Sequence, residues 1–218
     1  NGASVYTLSN AINFCSTLNF AGKSWRLPEI YELIDLDDFG RSSIPTININ
    51  LFPETVSNHY WSRTQVSSVP VASWSIDFSA GGTGTYAMNS STYTRCVSGT
   101  ASQNTYSYVD NSNETVTDNF TGRTWQKCPA GLSGSACNVG NYQSFSWLNA
   151  LNYCNNLSLA GKTWRLPNIR ELKSLTPIYG YNPAINSNYF PMNSTNGYWS
   201  STTNSLSTTN AWIIGFYD

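Results

Sequence analysis

The residues of this 218-residue chain that could do chemistry are few, and most come in matched pairs. Arg26 sits between Trp25 and Leu27-Pro28 and is followed six residues later by Glu32; Arg165 sits between Trp164 and Leu166-Pro167 and is followed at the same spacing by Glu171. A guanidinium in such a place can grip a ligand carboxylate or sulfate through a bidentate fork. The glutamate offers the same fork an internal partner, so the spacing predicts a structural ion pair ahead of a ligand contact. Lys162, Arg165, Arg170 and Lys173 form the one local concentration of positive charge. Its plain reading is a solvated face, and its functional reading is an anion site.

Other reactive groups are scarce. His59 is the only histidine, which leaves a general base hard to assign. No glycine-rich phosphate loop, zinc-ligand spacing or Ser-His-Asp set is visible. Asp35, Asp37 and Asp38 cluster closely enough to offer oxygen ligands to a hard cation. The sequence thus predicts no enzyme, no catalytic residue and no cofactor.

The elements that hold these residues are present twice. Ala21-Gly-Lys-Ser-Trp-Arg-Leu-Pro-Glu-Ile-Tyr-Glu-Leu33 returns as Ala160-Gly-Lys-Thr-Trp-Arg-Leu-Pro-Asn-Ile-Arg-Glu-Leu172. The match continues on both sides, with an offset of 139 from Cys15 to Cys154 and of 138 from Trp61 to Trp199. Phe52-Pro53 pairs with Phe190-Pro191, Tyr60-Trp61-Ser62 with Tyr198-Trp199-Ser200, and Trp74 and Phe78 with Trp212 and Phe216. Solenoid units repeat every ~20–50 residues, so a period this long is a whole domain. We expect a first copy at 1–98, a linker at 99–103 in a Ser/Gly/Thr/Ala/Gln run, and a second copy at 104–218. Copy two opens with a strand-like stretch, Thr115 to Lys127, that has no counterpart in copy one. Copy one closes with Thr94-Arg-Cys96-Val, whose counterpart would lie past Asp218. The copies are therefore expected to be cut at opposite ends.

That correspondence organises the five cysteines. It predicts a Cys15–Cys96 disulfide inside copy one, a Cys128–Cys137 disulfide across the short Pro129 to Ala136 loop, and an unpaired Cys154. The alternative for Cys15 and Cys154 is a small buried apolar residue on a helix. Where a calcium site is concerned the copies disagree, because copy two has Ser174 and Thr176 and no acid in place of Asp35 and Asp37. No metal is expected.

Apolar residues make up 40% of the chain and aromatics 14%, enough to bury two cores of ordinary size. Charged residues are only 11%, against about 25% in ordinary soluble proteins, and Asn, Ser and Thr take their place. A neutral polar surface with disulfides suits an exported protein. Copy one has five Lys and Arg against seven Asp and Glu, and copy two has six against five. Neither carries the basic stripe that nucleic acid requires. No apolar run reaches the length of a membrane span, and the Asn1-Gly2 start implies that any signal peptide has been removed.

Trp147, Ala150, Leu151, Cys154 and Leu157 fall at helical spacing, as do Leu8, Ala11, Ile12, Cys15 and Leu18, each run ending at a glycine suited to a left-handed C-cap. Pro28 and Pro167 are placed to start a second, short helix. Strand signals follow at Tyr60 to Ser62, Ala72 to Phe78, Tyr93 to Val97, Tyr198 to Ser200 and Ala211 to Phe216. Two helices and several short antiparallel strands with long loops make an α+β domain.

The ordered motifs carry a resemblance. Thr115-Val-Thr-Asp-Asn with Thr121-Gly-x-x-Trp-Gln-Lys127, the Ala150 to Cys154 helix, Trp164-Arg-Leu-Pro-x-x-x-Glu-Leu172, Pro183 to Asn186, Tyr189-Phe-Pro191 and Tyr198 to Ser201 together resemble the C-terminal domain of the Legionella collagen-like adhesin. Copy one departs from copy two at Arg63 and Thr46, where copy two has Ser201 and Ala184. The Arg-Leu-Pro-x-x-x-Glu block is also similar to that of formylglycine-generating-enzyme-like and other C-type-lectin-like domains. The resemblance implies a C-type-lectin-like fold, display on a bacterial surface, and attachment to host matrix or sulfated glycans. The calcium-lectin signatures Glu-Pro-Asn, Gln-Pro-Asp and Trp-Asn-Asp do not occur. Tryptophans shared by both copies read as core, whereas Tyr179, Tyr181 and Tyr189, in a loop region, are the candidates for sugar stacking. The expected protein is a non-enzymatic, exported adhesin binding a glycan or matrix protein through these tyrosines and Lys162, Arg165, Arg170 and Lys173. The alternative is a structural subunit of a surface filament or layer that associates with itself.

Overall fold

The computed structural model describes residues 4–101, 106–177, 183–191 and 197–216. The chain forms two compact units, Asn1–Ser102 with Asn204–Thr208 and Gln103–Thr203 with Thr209–Asp218. Each mixes short helices with strands, an α+β arrangement; the pairings are antiparallel except for one parallel contact in the first unit, Tyr60 with Tyr93.

In the first unit, strand β1 (Val5–Tyr6) leads into helix α1 (Leu8–Thr17), whose inner face is Leu8, Ala11 and Cys15. The helix ends at Leu18, ahead of the glycine expected to cap it. Ala21 and Gly22 instead both take positive φ, 52° and 64°, and turn the chain so that Phe20 bridges Lys23. Two successive left-handed residues are what a tight two-residue hairpin turn needs, and they override the C-cap role. Strand β2 (Trp25–Arg26) precedes helix α2 (Ile30–Ile34). Pro28 lies before the N-cap Glu29 rather than at the first helical position, because the Glu32 carboxylate has to reach back to the Glu29 N–H at 2.8 Å.

The sheet follows: β3 (His59–Gln65), β4 (Ala72–Asp77), β5 (Thr83–Ala87) and β6 (Thr92–Tyr93), in the order β1-β6-β3-β4-β5. Strand β7 (Val97–Ser98) turns away to pair with β2, so the single strand expected from Tyr93 to Val97 is split in two. Two apolar clusters fill the unit. Leu8, Ala11, Cys15, Leu27 and Trp61 pack under Tyr6, Tyr86, Met88 and Cys96. Leu33, Ile47, Tyr60, Ile76 and Phe78 pack with Phe52 and Tyr93.

The second unit begins with a three-stranded sheet of β8 (Tyr108–Asp110), β9 (Thr115–Asp118) and β10 (Arg123–Gln126). The expected single strand from Thr115 is therefore a hairpin. Asp118 makes the turn, its Oδ1 accepting from the Phe120 N–H at 2.9 Å and its Oδ2 from the Thr121 hydroxyl at 2.6 Å. Strand β11 (Leu132–Ser133), inside the Cys128–Cys137 loop, pairs with β12 (Val139–Gly140) just past it. Helix α3 (Trp147–Asn155), helix α4 (Ile169–Lys173) and the pair β13 (Gly197–Thr203) with β14 (Ala211–Gly215) complete it.

The two units repeat each other bond by bond. Trp61 Nε1 donates to the Tyr6 carbonyl at 2.7 Å, and Trp199 Nε1 to the Phe145 carbonyl at 2.8 Å. The Tyr6 and Phe14 rings stack at 5.1 Å, and Phe145 and Tyr153 at 5.2 Å. The Ile30 N–H reaches the Thr64 hydroxyl at 2.9 Å, and the Ile169 N–H the Thr202 hydroxyl at 3.0 Å. Both long strands carry a register shift after the Trp-Ser step, between Trp61 and Gln65 and between Trp199 and Thr203.

Candidate functional site

The paired arginines do what their spacing predicted. Arg26 grips Glu32 at 2.7 and 2.6 Å, and Arg165 grips Glu171 at the same two distances. Each glutamate also accepts the N-cap N–H of its short helix, so one carboxylate anchors an arginine and starts a helix. Glu171 takes a second cation, Arg123 Nε at 3.1 Å. The Arg165 fork, opposed by burial and helped by the Asn168 N–H, holds Glu171 down at about 2. For Glu32, burial alone would raise the value, and the Arg26 fork with the Glu29 N–H outweighs it and lowers it.

The copies differ in what lies over this pair. Arg26 has Nε bonded to the Gly99 carbonyl at 2.8 Å, and its side chain is 19% exposed. The Arg165 side chain is 62% exposed. Lys162 and Arg170 are exposed beside it and Lys173 is half-buried, so three of the four basic candidates share an accessible stretch around α4. Copy one places Tyr31 and Ile34 where copy two has Arg170 and Lys173, which makes this positive face a property of the second unit.

Tyr189 is half-buried, its ring 5.5 Å from Tyr108. Tyr108 also meets Phe190 edge-on at 5.3 Å, so Tyr189 joins an aromatic group anchored by β8. Tyr179 and Tyr181 lie outside the described residues. Cys15 is bonded to Cys96 with a Cα separation of 5.5 Å, and Cys128 to Cys137 at 5.3 Å. Cys154 is free among the described residues, and burial pushes its thiol up to about 11.

Two arrangements that could suggest chemistry have structural explanations. The fold brings His59, Ser75 and Asp77 together: Nδ1 of His59 is 3.1 Å from the Ser75 hydroxyl and Nε2 is 3.5 Å from Asp77. Cross-strand pairing of β3 and β4 makes this set, which linear sequence does not display. Ser75 is fully buried and its hydroxyl donates to the Gly84 carbonyl at 3.1 Å, so no substrate reaches it. Asp37 is fully buried too, with Oδ2 accepting from the Gly82 N–H at 2.7 Å. Among the described residues no group of three or more His, Cys, Asp and Glu could hold a metal.

Sequence reading missed a concavity. A cavity of about 460 Å³ opens in the second unit, with mainly apolar walls that include Trp125, Phe145, Cys154, Leu166 and Trp199. Its signal was in the alignment of the copies: Cys154, Leu166 and Trp199 match Cys15, Leu27 and Trp61, which are sealed in copy one at 0%, 2% and 0% exposure.

The sequence profile of the Lcl C-terminal domain matches this chain twice, over residues 2–98 and 114–218. Searches of curated proteins and of solved structures return no significant match.

Proposed function

Because the chain belongs to the Lcl C-terminal domain family, an adhesin-associated family, with two copies in tandem, we propose that it is an exported bacterial surface protein that attaches to anionic glycans or matrix proteins. The family is not an enzyme family, and no helix among the described residues is long and apolar enough to cross a membrane. We assign each copy a C-type-lectin-like fold, with the chain divided at the 99–103 linker.

The observation that carries the ligand class is the accessible basic stretch of the second unit. Lys162 and Arg170 are exposed, Arg165 stands at 62%, and Lys173 is partly accessible. A sulfated or carboxylated glycan would meet point charges there with little desolvation, while Tyr189 and, from the same stretch of sequence, Tyr179 and Tyr181 would add ring contacts. Weak contacts of this kind gain from repeated domains on one chain.

The test is a panel of sulfated and neutral glycans and matrix proteins, run with and without chelator across a salt series. The reading expects saturable binding to sulfated ligands that survives chelation and fades as salt screens the charges. Replacing Lys162, Arg170 and Lys173 by serine should weaken it about tenfold. Silence across the panel overturns it. A second reading is a structural subunit of a surface layer, and a concentration-dependent polymer in light scattering would select it.

A further inference from the structure

The frame that the two units share does not require His59, Ser75 and Asp77. These three residues of the first unit fall at the positions of Gly197, Ile213 and Gly215 in the second. In both units the first and last of the three face each other across the strand pair, His59 opposite Asp77 and Gly197 opposite Gly215. The same ladder therefore forms with or without the polar side chains, and the imidazole and the carboxylate are present together or replaced together. Gly84 keeps a place for the ring, since a Cβ there would stand 3.1 Å from His59 Cε1.

Hydrogen bonds orient both groups. The Ser75 hydroxyl gives its one proton to the Gly84 carbonyl at 3.1 Å, so its oxygen, 3.1 Å from His59 Nδ1, accepts from the ring N–H. Nε2 of the neutral ring then carries a bare lone pair. It faces Asp77 Oδ2 at 3.5 Å, beyond ordinary hydrogen-bond range, with the two side chains 21% and 17% exposed. Asp77 Oδ1 accepts from the Ser79 N–H at 2.8 Å and from the Ser79 hydroxyl at 2.6 Å, which turns Oδ2 to the ring. The Tyr86 ring lies 4.6 Å from the imidazole, and the Thr92 hydroxyl donates to the His59 carbonyl. Two electron-pair donors thus stand opposed with no proton between them, each held from behind by its own hydrogen bonds, as the outer shell of a metal site holds its ligands. Two ligands about 2.1 Å from one zinc-class ion and 3.5 Å apart subtend about 113°, close to the tetrahedral angle.

We propose that His59 Nε2 and Asp77 Oδ2 form a two-donor site for a divalent transition-metal ion of the zinc class, with water filling the remaining positions. An imidazole with a carboxylate suits zinc or copper, whereas calcium takes about six to eight oxygen ligands. Two protein ligands hold an ion that exchanges with solution, in keeping with the absence, among the described residues, of a group of three or more His, Cys, Asp and Glu. The bound ion ties β3 to β4 across the His59–Asp77 pair and stabilises the first unit in proportion to its occupancy. The site belongs to the first unit and uses none of the basic residues around α4, so the inference goes beyond the adhesin reading and stands without it.

The experiment uses the whole 218-residue chain with zinc ion as the probe, and it gains from His59 being the only histidine. Nitrogen-15 NMR of the imidazole reads the site directly. In buffer at about pH 8, above the ordinary imidazole range, the metal-free chain should show the Nδ1–H tautomer. Zinc should then shift Nε2 saturably, with a Kd below about 1 mM, while calcium leaves the ring unmoved. Ser75→Ala, which removes the partner that sets the tautomer, should weaken zinc about tenfold. His59→Gln and Asp77→Asn should each abolish the site, and Cys154→Ser should leave it intact, which separates it from the thiol. Should a substituted chain fail to fold, the tautomer and the zinc shift of the unsubstituted chain decide on their own. An Nε2–H tautomer, a ring that zinc does not shift saturably, or zinc affinity unchanged in folded His59→Gln overturns the proposal.

Discussion

The two units present the same frame in two states of closure. In both, a tryptophan on the long strand donates its ring N–H to the residue ahead of the first helix, an arginine–glutamate fork starts the second helix, and a short Trp-Ser step precedes a bulge. Among the described residues, the stretch from Tyr86 to Cys96 covers Trp61 in the first unit, so that the residue is sealed and its neighbouring cysteine is bonded, while Trp199 is partly exposed. The recurrence of these bonds at matched positions teaches that the arginine fork, the helix starts and the strand pair are set by residues that each copy carries itself.

Removing the cover's covalent tie should separate the copies most strongly. Cys15→Ser opens a cross-link spanning 81 residues and should cost the first unit about 4 kcal/mol by the loop-entropy relation. Cys154→Ser, in the second unit, should cost under about 1 kcal/mol. Denaturant titration of each variant reads both, and equal losses would break the comparison. Next in size, Trp61→Ala should cost about 4 kcal/mol and Trp199→Ala roughly half that, because Trp199 already faces the cavity and leaves less new void behind.

The forks are predicted to act alike in both copies. Glu32→Gln and Glu171→Gln each strip the charge from a carboxylate that holds an arginine and a helix start, and each should cost about 2 kcal/mol. The pH dependence has a definite sign. Glu171 is depressed from 4.5 to about 2, so its contribution is complete above the ordinary value and is lost as pH falls from about 4.5 toward 2. Acid unfolding followed by tryptophan fluorescence should show that loss blunted in Glu171→Gln. The smallest effect concerns the turn. Ala21 and Ala160 both hold left-handed φ, 52° and 51°, and glycine at either position should stabilise by about 0.5–1 kcal/mol.

Much of this was legible in the sequence because the repeat doubles every signal. The Arg–Glu spacing, the helix faces around Cys15 and Cys154, and the long strands at Tyr60 and Tyr198 follow from residue types and period alone. What was illegible depended on contacts across strands. Asp118 converts an apparent single strand into a hairpin through side-chain bonds to Phe120 and Thr121, and Ala21 accepts a conformation that favours glycine because the turn to Lys23 demands it. The meeting of His59, Ser75 and Asp77 comes from β3–β4 register, which no linear motif encodes. The cavity was hidden because its residues are ordinary core types; only their closed counterparts in copy one mark them as uncovered.

The most direct measurement of the central claim is oxidative footprinting of the native chain, read tryptophan by tryptophan in the mass spectrometer. The account predicts that Trp199 is modified several-fold faster than Trp61, with the Cys15–Cys96 bond intact. Equal protection of the two tryptophans would contradict it, since the second unit would then be as closed as the first.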